Sequence, residues 1–148
     1  MRPGIGLFRA KDTNGKWHEG YIDGRPKHTN SKGIFFKMYV TIELSKGFRY
    51  EEYLVLPATI CEYTGLKDSY GNKIFENDII SWIDDGGNRP QIDVVKYHAR
   101  KWSYPGFDLS TFPYDSNGLQ YVVLNGKDVK VIGNSFDNPE LLEKNNGQ

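Results

Sequence analysis

Apolar and polar residues alternate along the chain in short runs, and turn-forming residues separate these runs. In residues 7–22, two such runs flank the Asn-Gly pair at 14–15, a pair that favours the tight turn of a β-hairpin. Residues 34–44 and 48–57 are rich in β-branched and aromatic side chains, which predicts two longer strands. The turn formers of 23–33 predict a polar loop between the hairpin and these strands.

The second half of the chain continues the pattern. Strands are predicted from the alternating and apolar runs at 79–83, 91–98 and 106–112. A second Asn-Gly pair, at 125–126, predicts a hairpin between residues 121–124 and 129–132. Near the end, Asn138 is placed to cap a helix, and Pro139 and Glu140 suit its first turn. We therefore expect a short C-terminal helix turn, followed by a frayed tail at 144–148.

Many short strands with tight turns predict a mainly β protein. From about residue 74 onward, four or five strands are expected to close into a small β-barrel of SH3 size, with the N-terminal strands forming a sheet beside it. The predicted regions are an N-terminal β-rich region at 1–62, the barrel with its entry loop and helix turn at 63–143, and the tail.

Composition and charge make some classes of function less favoured, above all binding to nucleic acid or to a membrane. The 148 residues include 19 basic and 19 acidic side chains, so the formal net charge is zero. Residues 1–62 carry about +3 and the remainder about −3, which is too little for a strong phosphate-seeking field. No apolar stretch is long enough for a signal peptide or a membrane span. We expect a cytoplasmic protein with no membrane partner.

The acidic residues of 62–80 have two interpretations. Asp68, Glu76 and Asp78 could hold a divalent ion or act as acid and base. Alternatively, they shape a chain bend, since an acidic residue before a strand accepts main-chain N–H groups. We favour the second interpretation, in which most of this stretch is a loop that leads into the strand at Ile79. No catalytic or metal-binding residue is then assigned.

Other catalytic patterns are weak. Cys61 is the one cysteine, and the three histidines are scattered without the spacing of a zinc site or a cysteine–histidine pair. Cys61 is expected to pack as a small hydrophobic residue. The glycines do not follow the spacing of a phosphate-binding loop, so no cofactor is predicted.

Aromatic residues crowd the second half, and some lie in a stretch that is too polar for a core strand. Protein interfaces favour tyrosine, tryptophan and arginine, whereas single-stranded nucleic acids stack on the same aromatic side chains. Zero net charge favours a protein partner. The candidate interaction surface consists of Arg100, Lys101, Trp102, Tyr104 and Phe107.

Three separated strings resemble the YopX family of phage and prophage proteins: "FRAKDTNGKWHEGYI", "YTGLKDSYGNKIFENDII" and "VIGNSFDNPELL". The resemblance implies a β-rich protein with an SH3-type C-terminal barrel, an oligomeric state and no known molecular function. Where the family often has glycine this chain has Asn77, and both residues tolerate a positive φ, which indicates a main-chain role for that position. The family-motif residues with an expected structural role are Gly65, Asp68, Gly71, Glu76, Asp78, Gly133, Asn134 and Pro139.

The leading hypothesis is a non-enzymatic accessory protein of a bacterial host's phage or prophage, acting as a homo-oligomer or by binding a host or phage protein. One alternative is a small nucleic-acid-binding barrel that uses its aromatic residues and the lysines and arginine of 96–101. A less favoured alternative is a metal-dependent hydrolase built on Asp68, Glu76 and Asp78.

Overall fold

The computed structural model describes residues 6–29, 33–83, 87, 90–98, 106–109 and 118–146, and their structure is mainly β, which confirms the predicted fold class. The strands are β1 (Phe8–Lys11), β2 (Trp17–Thr29), β3 (Gly33–Glu43), β4 (Phe48–Val55), β5 (Cys61–Lys67), β6 (Lys73–Phe75), β7 (Asp78–Ile83), β8 (Pro90–His98), β9 (Gly106–Leu109) and β10 (Lys127–Asn134). The helices are a 3-10 turn at Pro57–Thr59, α1 (Gly118–Asn125) and α2 (Glu140–Asn146). The chain divides into two compact units, residues 1–63 and 64–148.

The first unit is an antiparallel sheet with the strand order β4-β3-β2-β1-β5. The hairpin predicted at 7–22 is confirmed, since β1 pairs with β2 and Gly15 has a φ of 85°. One face of the sheet buries an apolar core of Phe8, Ala10, Ile22, Met38 and Val55. Alternation places these side chains on one side and leaves the other side of the sheet to polar and aromatic residues.

Two loops predicted in this region are wrong. Residues 23–33 contain the end of β2 and the start of β3, and the pairing shifts register between Asp23 and Lys27. The turn formers therefore make a bulge inside a longer hairpin, where the Asp23 carboxylate accepts the Arg25 N–H at 3.0 Å. The stretch 62–80, predicted to be mostly loop, contains β6 at 73–75 and most of β5 at 61–67, because β5 pairs with the distant β1.

The second unit contains an antiparallel sheet with the order β10-β7-β8-β9. The predicted strands at 79–83 and 91–98 are confirmed as β7 and β8, and the predicted strand at 106–112 is present as β9 where it is described. The core comprises Ile74, Ile80, Trp82, Val95, Leu119, Val122 and Val129. No closed barrel is detected among the described strands, so the SH3-type closure stays a prediction.

The hairpin predicted around Asn125-Gly126 is wrong, because residues 118–125 form α1. Leu119 and Val122 are buried while Leu124 is exposed, a helical rather than an alternating pattern. The Asn-Gly pair instead ends the helix, with the Gly126 N–H donating to the Val122 carbonyl at 2.7 Å. The predicted C-terminal helix turn is confirmed as α2, which extends to Asn146. No helix in the described part of the chain is long and apolar enough to cross a membrane.

Candidate functional site: an aromatic row on an exposed sheet face

The interaction surface predicted from the sequence lies mostly outside the described residues. Arg100, Lys101, Trp102 and Tyr104 fall in an undescribed stretch. Phe107 belongs to β9, but its side chain is not among the described ones.

The side chain of Asp68 is the centre of the turn between β5 and β6. Its carboxylate accepts the main-chain N–H groups of Tyr70, Asn72 and Val131 at 2.9–3.0 Å, and the Asn72 amide at 3.3 Å. Burial raises the pKa of Asp68, but these hydrogen bonds together outweigh burial and leave the pKa below its ordinary value. The ionised carboxylate thus joins the turn to β10.

Asp78 has a comparable main-chain role at the entry to β7. Its carboxylate, 1% exposed, accepts the Phe75 N–H at 2.8 Å. Between Phe75 and Asp78, Asn77 has a φ of 70°, which confirms the main-chain role inferred from the glycine that the family often has there. The Asn77 N–H donates to Val95 and its carbonyl accepts from Ser135, so the bend ties β8 and the segment after β10 together.

The third acidic residue, Glu76, is half-buried in the same bend. Among the described residues, no group of three or more histidine, cysteine, aspartate and glutamate side chains could hold a metal ion. Asp68 and Asp78 each use their carboxylate to accept main-chain N–H groups.

The closing family string forms a compact turn after β10. The Asn138 amide oxygen accepts the Asn134 N–H at 3.2 Å, and the Asn134 oxygen accepts the N–H groups of Phe136 and Asp137. A Cβ on Gly133 would lie 2.5 Å from the Asn138 amide oxygen, so a larger residue would push the Asn138 side chain aside. Pro139 follows directly and precedes α2.

Four aromatic rings cross the face of the first sheet opposite its core, and we call them the aromatic row: Tyr21, Tyr39, Tyr50 and Phe48. Tyr21 pairs with Tyr39 across β2 and β3. The Tyr39 and Tyr50 rings meet edge to face at 6.5 Å, and the Tyr50 and Phe48 rings at 5.4 Å. Three of the side chains are strongly exposed: Tyr21 at 53%, Tyr50 at 56% and Phe48 at 60%.

One ion pair lies beside the aromatic row, and a second lies on the opposite face of β4. Lys37 of β3 lies 3.3 Å from Glu52 of β4. On the opposite face of β4, the Arg49 guanidinium lies 3.2 Å from Glu51, which also accepts the Tyr53 hydroxyl at 2.5 Å. Aromatic rings with a polar rim are typical of protein interfaces. Sequence reasoning missed this row, because Tyr21, Tyr39 and the Phe48/Tyr50 pair lie on three strands, 9 to 29 positions from one another, and only the strand register brings them together.

A second cluster missed from the sequence surrounds His18, which lies on the core side of the same sheet. Its Nε2 is 2.8 Å from the Asp12 carboxylate, and its ring stacks on Tyr53 at 3.7 Å. Asp12 also accepts the N–H groups of Asn14 and Lys16 at 2.8 and 3.0 Å. The Asp12 carboxylate therefore holds the β1–β2 turn and fixes the orientation of His18.

The model of the family described as "YopX protein" matches residues 7–143 of this chain. The chain belongs to the YopX family. No curated protein matches it in sequence. In this YopX-family chain the strings at 63–80 and 131–142 contain turns in which aspartate and asparagine side chains accept main-chain N–H groups. The aromatic row lies within the matched range: Tyr21 belongs to the string at 8–22, whereas Tyr39, Phe48 and Tyr50 lie outside all three strings.

Acid unfolding of this YopX-family protein should depend on Asp12. The hydrogen bond with His18, followed by that from Lys16, holds the pKa of Asp12 below its ordinary value of 3.8. Because the folded-state pKa is lower than the unfolded one, the stabilisation is present above pH 3.8 and is lost as pH falls through the folded value. Asp12→Asn should therefore lose less stability than the wild type between about pH 5 and 2.

Urea unfolding at a series of pH values measures this effect. Glu43→Gln, a change at an exposed carboxylate on β3, is the matched control and should follow the wild-type curve. If the free energy of unfolding of Asp12→Asn fell with pH as steeply as that of the wild type, the role assigned to Asp12 would be contradicted.

Proposed function

We propose that this YopX-family protein is a non-enzymatic accessory protein of a phage or prophage, working in the bacterial cytoplasm by binding copies of itself or a host or phage protein. The observation that supports this proposal is the exposed aromatic row, in which three rings stay more than half exposed on one sheet face. Exposed apolar clusters with a polar rim commonly mark interaction surfaces.

The arrangement of the acids supports the non-enzymatic part of the proposal. A catalytic carboxylate pair needs oxygens that face a substrate or ion. Asp68 instead directs both of its oxygens at main-chain and amide donors, and Asp78 receives the Phe75 N–H. These carboxylates act on the chain itself, which is the structural use of acids in a turn.

Sedimentation velocity over a hundredfold concentration range tests self-association. We expect a mass above the 17.0 kDa of one chain, rising with concentration. The physical reason is that covering the aromatic row removes apolar area from water, at about 25 cal/mol per Å². A single 17.0-kDa species at every concentration would reject self-association and leave binding of a host or phage protein as the remaining form of the proposal.

A further inference from the structure

Strand β4 is at the edge of its sheet, and half of its main-chain groups point away from β3. The Leu44 N–H donates to the Gly47 carbonyl at 3.0 Å, just before Glu43 and Phe48 pair. In an antiparallel ladder hydrogen-bonded and non-hydrogen-bonded pairs alternate. It follows that Arg49 and Glu51 bond to β3, whereas Phe48, Tyr50 and Glu52 direct their N–H and C=O groups outward.

The outer edge of β4 is closed at one end only. Leu56 donates to the Lys11 carbonyl at 2.9 Å, and Val55 forms a bridge with Asp12. Within the described part of the chain, no strand pairs with the edge from Phe48 to Glu52. An edge of this length with exposed aromatic side chains is a ready template for another strand.

We infer that β4 pairs antiparallel with β4 of a second copy of this chain, about a two-fold axis at Tyr50. This inference rests on the proposed self-association and specifies its surface. The two Tyr50 residues would form the central hydrogen-bonded pair, and Phe48 of each copy would pair with Glu52 of the partner subunit. All outward main-chain groups of the free segment then find a partner.

Charge selects this register among the neighbouring ones. With the axis at Tyr50, Arg49 lies opposite Glu51 of the partner subunit, and Glu51 opposite Arg49 of the partner subunit. Moving the axis to Glu51 would set two glutamates face to face, which destabilises an antiparallel pair. A shift of the axis by one position beyond that, to Glu52, would again oppose two glutamates. The pattern Arg-Tyr-Glu at 49–51 is therefore self-complementary about Tyr50.

The same register extends the aromatic row. Tyr50 and Phe48 project from the face that carries Tyr39, as their ring contacts show. Across the axis, Tyr50 would lie beside Tyr50 of the partner subunit and diagonal to its Phe48, within reach of aromatic side chains. The exposed rings of two copies would thereby form one continuous row over six strands.

Charge reversal tests the register by sedimentation equilibrium. Arg49→Glu and Glu51→Arg should each raise the dimer dissociation constant about tenfold, because both symmetry-related ion pairs become repulsive contacts. The double variant restores opposite charges and should recover most of the wild-type affinity. Lys130→Glu, on β10, is the control with the same change of charge type and should leave the affinity unchanged. Circular dichroism verifies that every variant is folded.

Disulfide trapping gives an independent readout in a Cys61→Ser background. Tyr50→Cys should cross-link readily, since Cα atoms of a hydrogen-bonded pair are about 5.5 Å apart, within disulfide range. Glu51→Cys and Glu52→Cys should cross-link poorly, because their distances across the axis exceed about 7 Å. The register would be overturned if the protein self-associates but neither charge reversal changes its dimer dissociation constant. It would also be overturned if Glu51→Cys cross-links more readily than Tyr50→Cys. Either result would leave the proposed function intact. A monomeric wild type would overturn the register together with the proposed self-association, whereas binding of a host or phage protein would stand.

Discussion

Replacing Asp68 with alanine is expected to destabilise the protein by about 3–5 kcal/mol. The carboxylate accepts three main-chain N–H groups and one side-chain amide, and it is only 7% exposed. Hydrogen bonds to a charged acceptor contribute about 1.5–3 kcal/mol each, and the donors left behind in a partly buried turn would lose their partner. The bond to Val131 would also be lost, and with it the link between this turn and β10.

The comparison with Glu76 and Asp78 makes this prediction a test of the metal-site alternative. Asp78→Ala should cost about 2–3 kcal/mol through its buried bond to Phe75, whereas Glu76→Ala should stay within about 0.5 kcal/mol. Urea unfolding measures all three variants, with and without millimolar Mg²⁺ or Mn²⁺. A metal site would contradict this pattern: added metal would stabilise the wild type, and each of the three changes would remove that effect.

Local patterns predicted the elements whose partners lie close in sequence. The turn at Gly15, the long strand β3 and the strand β7 all follow from turn residues and apolar runs that a short window contains. Strand β5 was missed because its partner is β1, where Arg9 pairs with Cys61. Helix α1 was missed because Asn-Gly after apolar residues suits a hairpin turn and a helix end equally.

The candidate site was less predictable than the fold. The acids of the entry loop could be weighed from sequence because aspartate and asparagine act on the main chain nearby. The aromatic row could not, because Tyr21 meets Tyr39 only once the bulge between Asp23 and Lys27 has set the register. The alternation of the aromatic residues at 48 and 50 with the charges at 49 and 51 was the available signal, but it also fits an ordinary half-exposed strand.

Register also creates a close main-chain contact that no local pattern marks, and it leads to the second large effect. Gly20→Ala is expected to destabilise the protein by about 3 kcal/mol or more. A Cβ at Gly20 would lie 2.2 Å from the Tyr39 carbonyl oxygen and 2.9 Å from its carbon. Both are main-chain atoms, so relief requires β3 to move away from β2, which would disturb the core around Met38.

The sign of this effect is informative, because a glycine-to-alanine change often stabilises by about 0.4–1 kcal/mol when the native backbone accommodates the new methyl group. A loss of stability therefore measures the contact itself. Urea unfolding gives the total change, and hydrogen exchange should show faster exchange in β2 and β3. Thr41→Ala, on the exposed face of β3, is the matched control and should cost less than about 1 kcal/mol. If Gly20→Ala were as stable as the wild type, β2 and β3 would have to lie further apart at this point. The register that assembles the aromatic row would then need revision, because the same strand pair sets Tyr21 beside Tyr39.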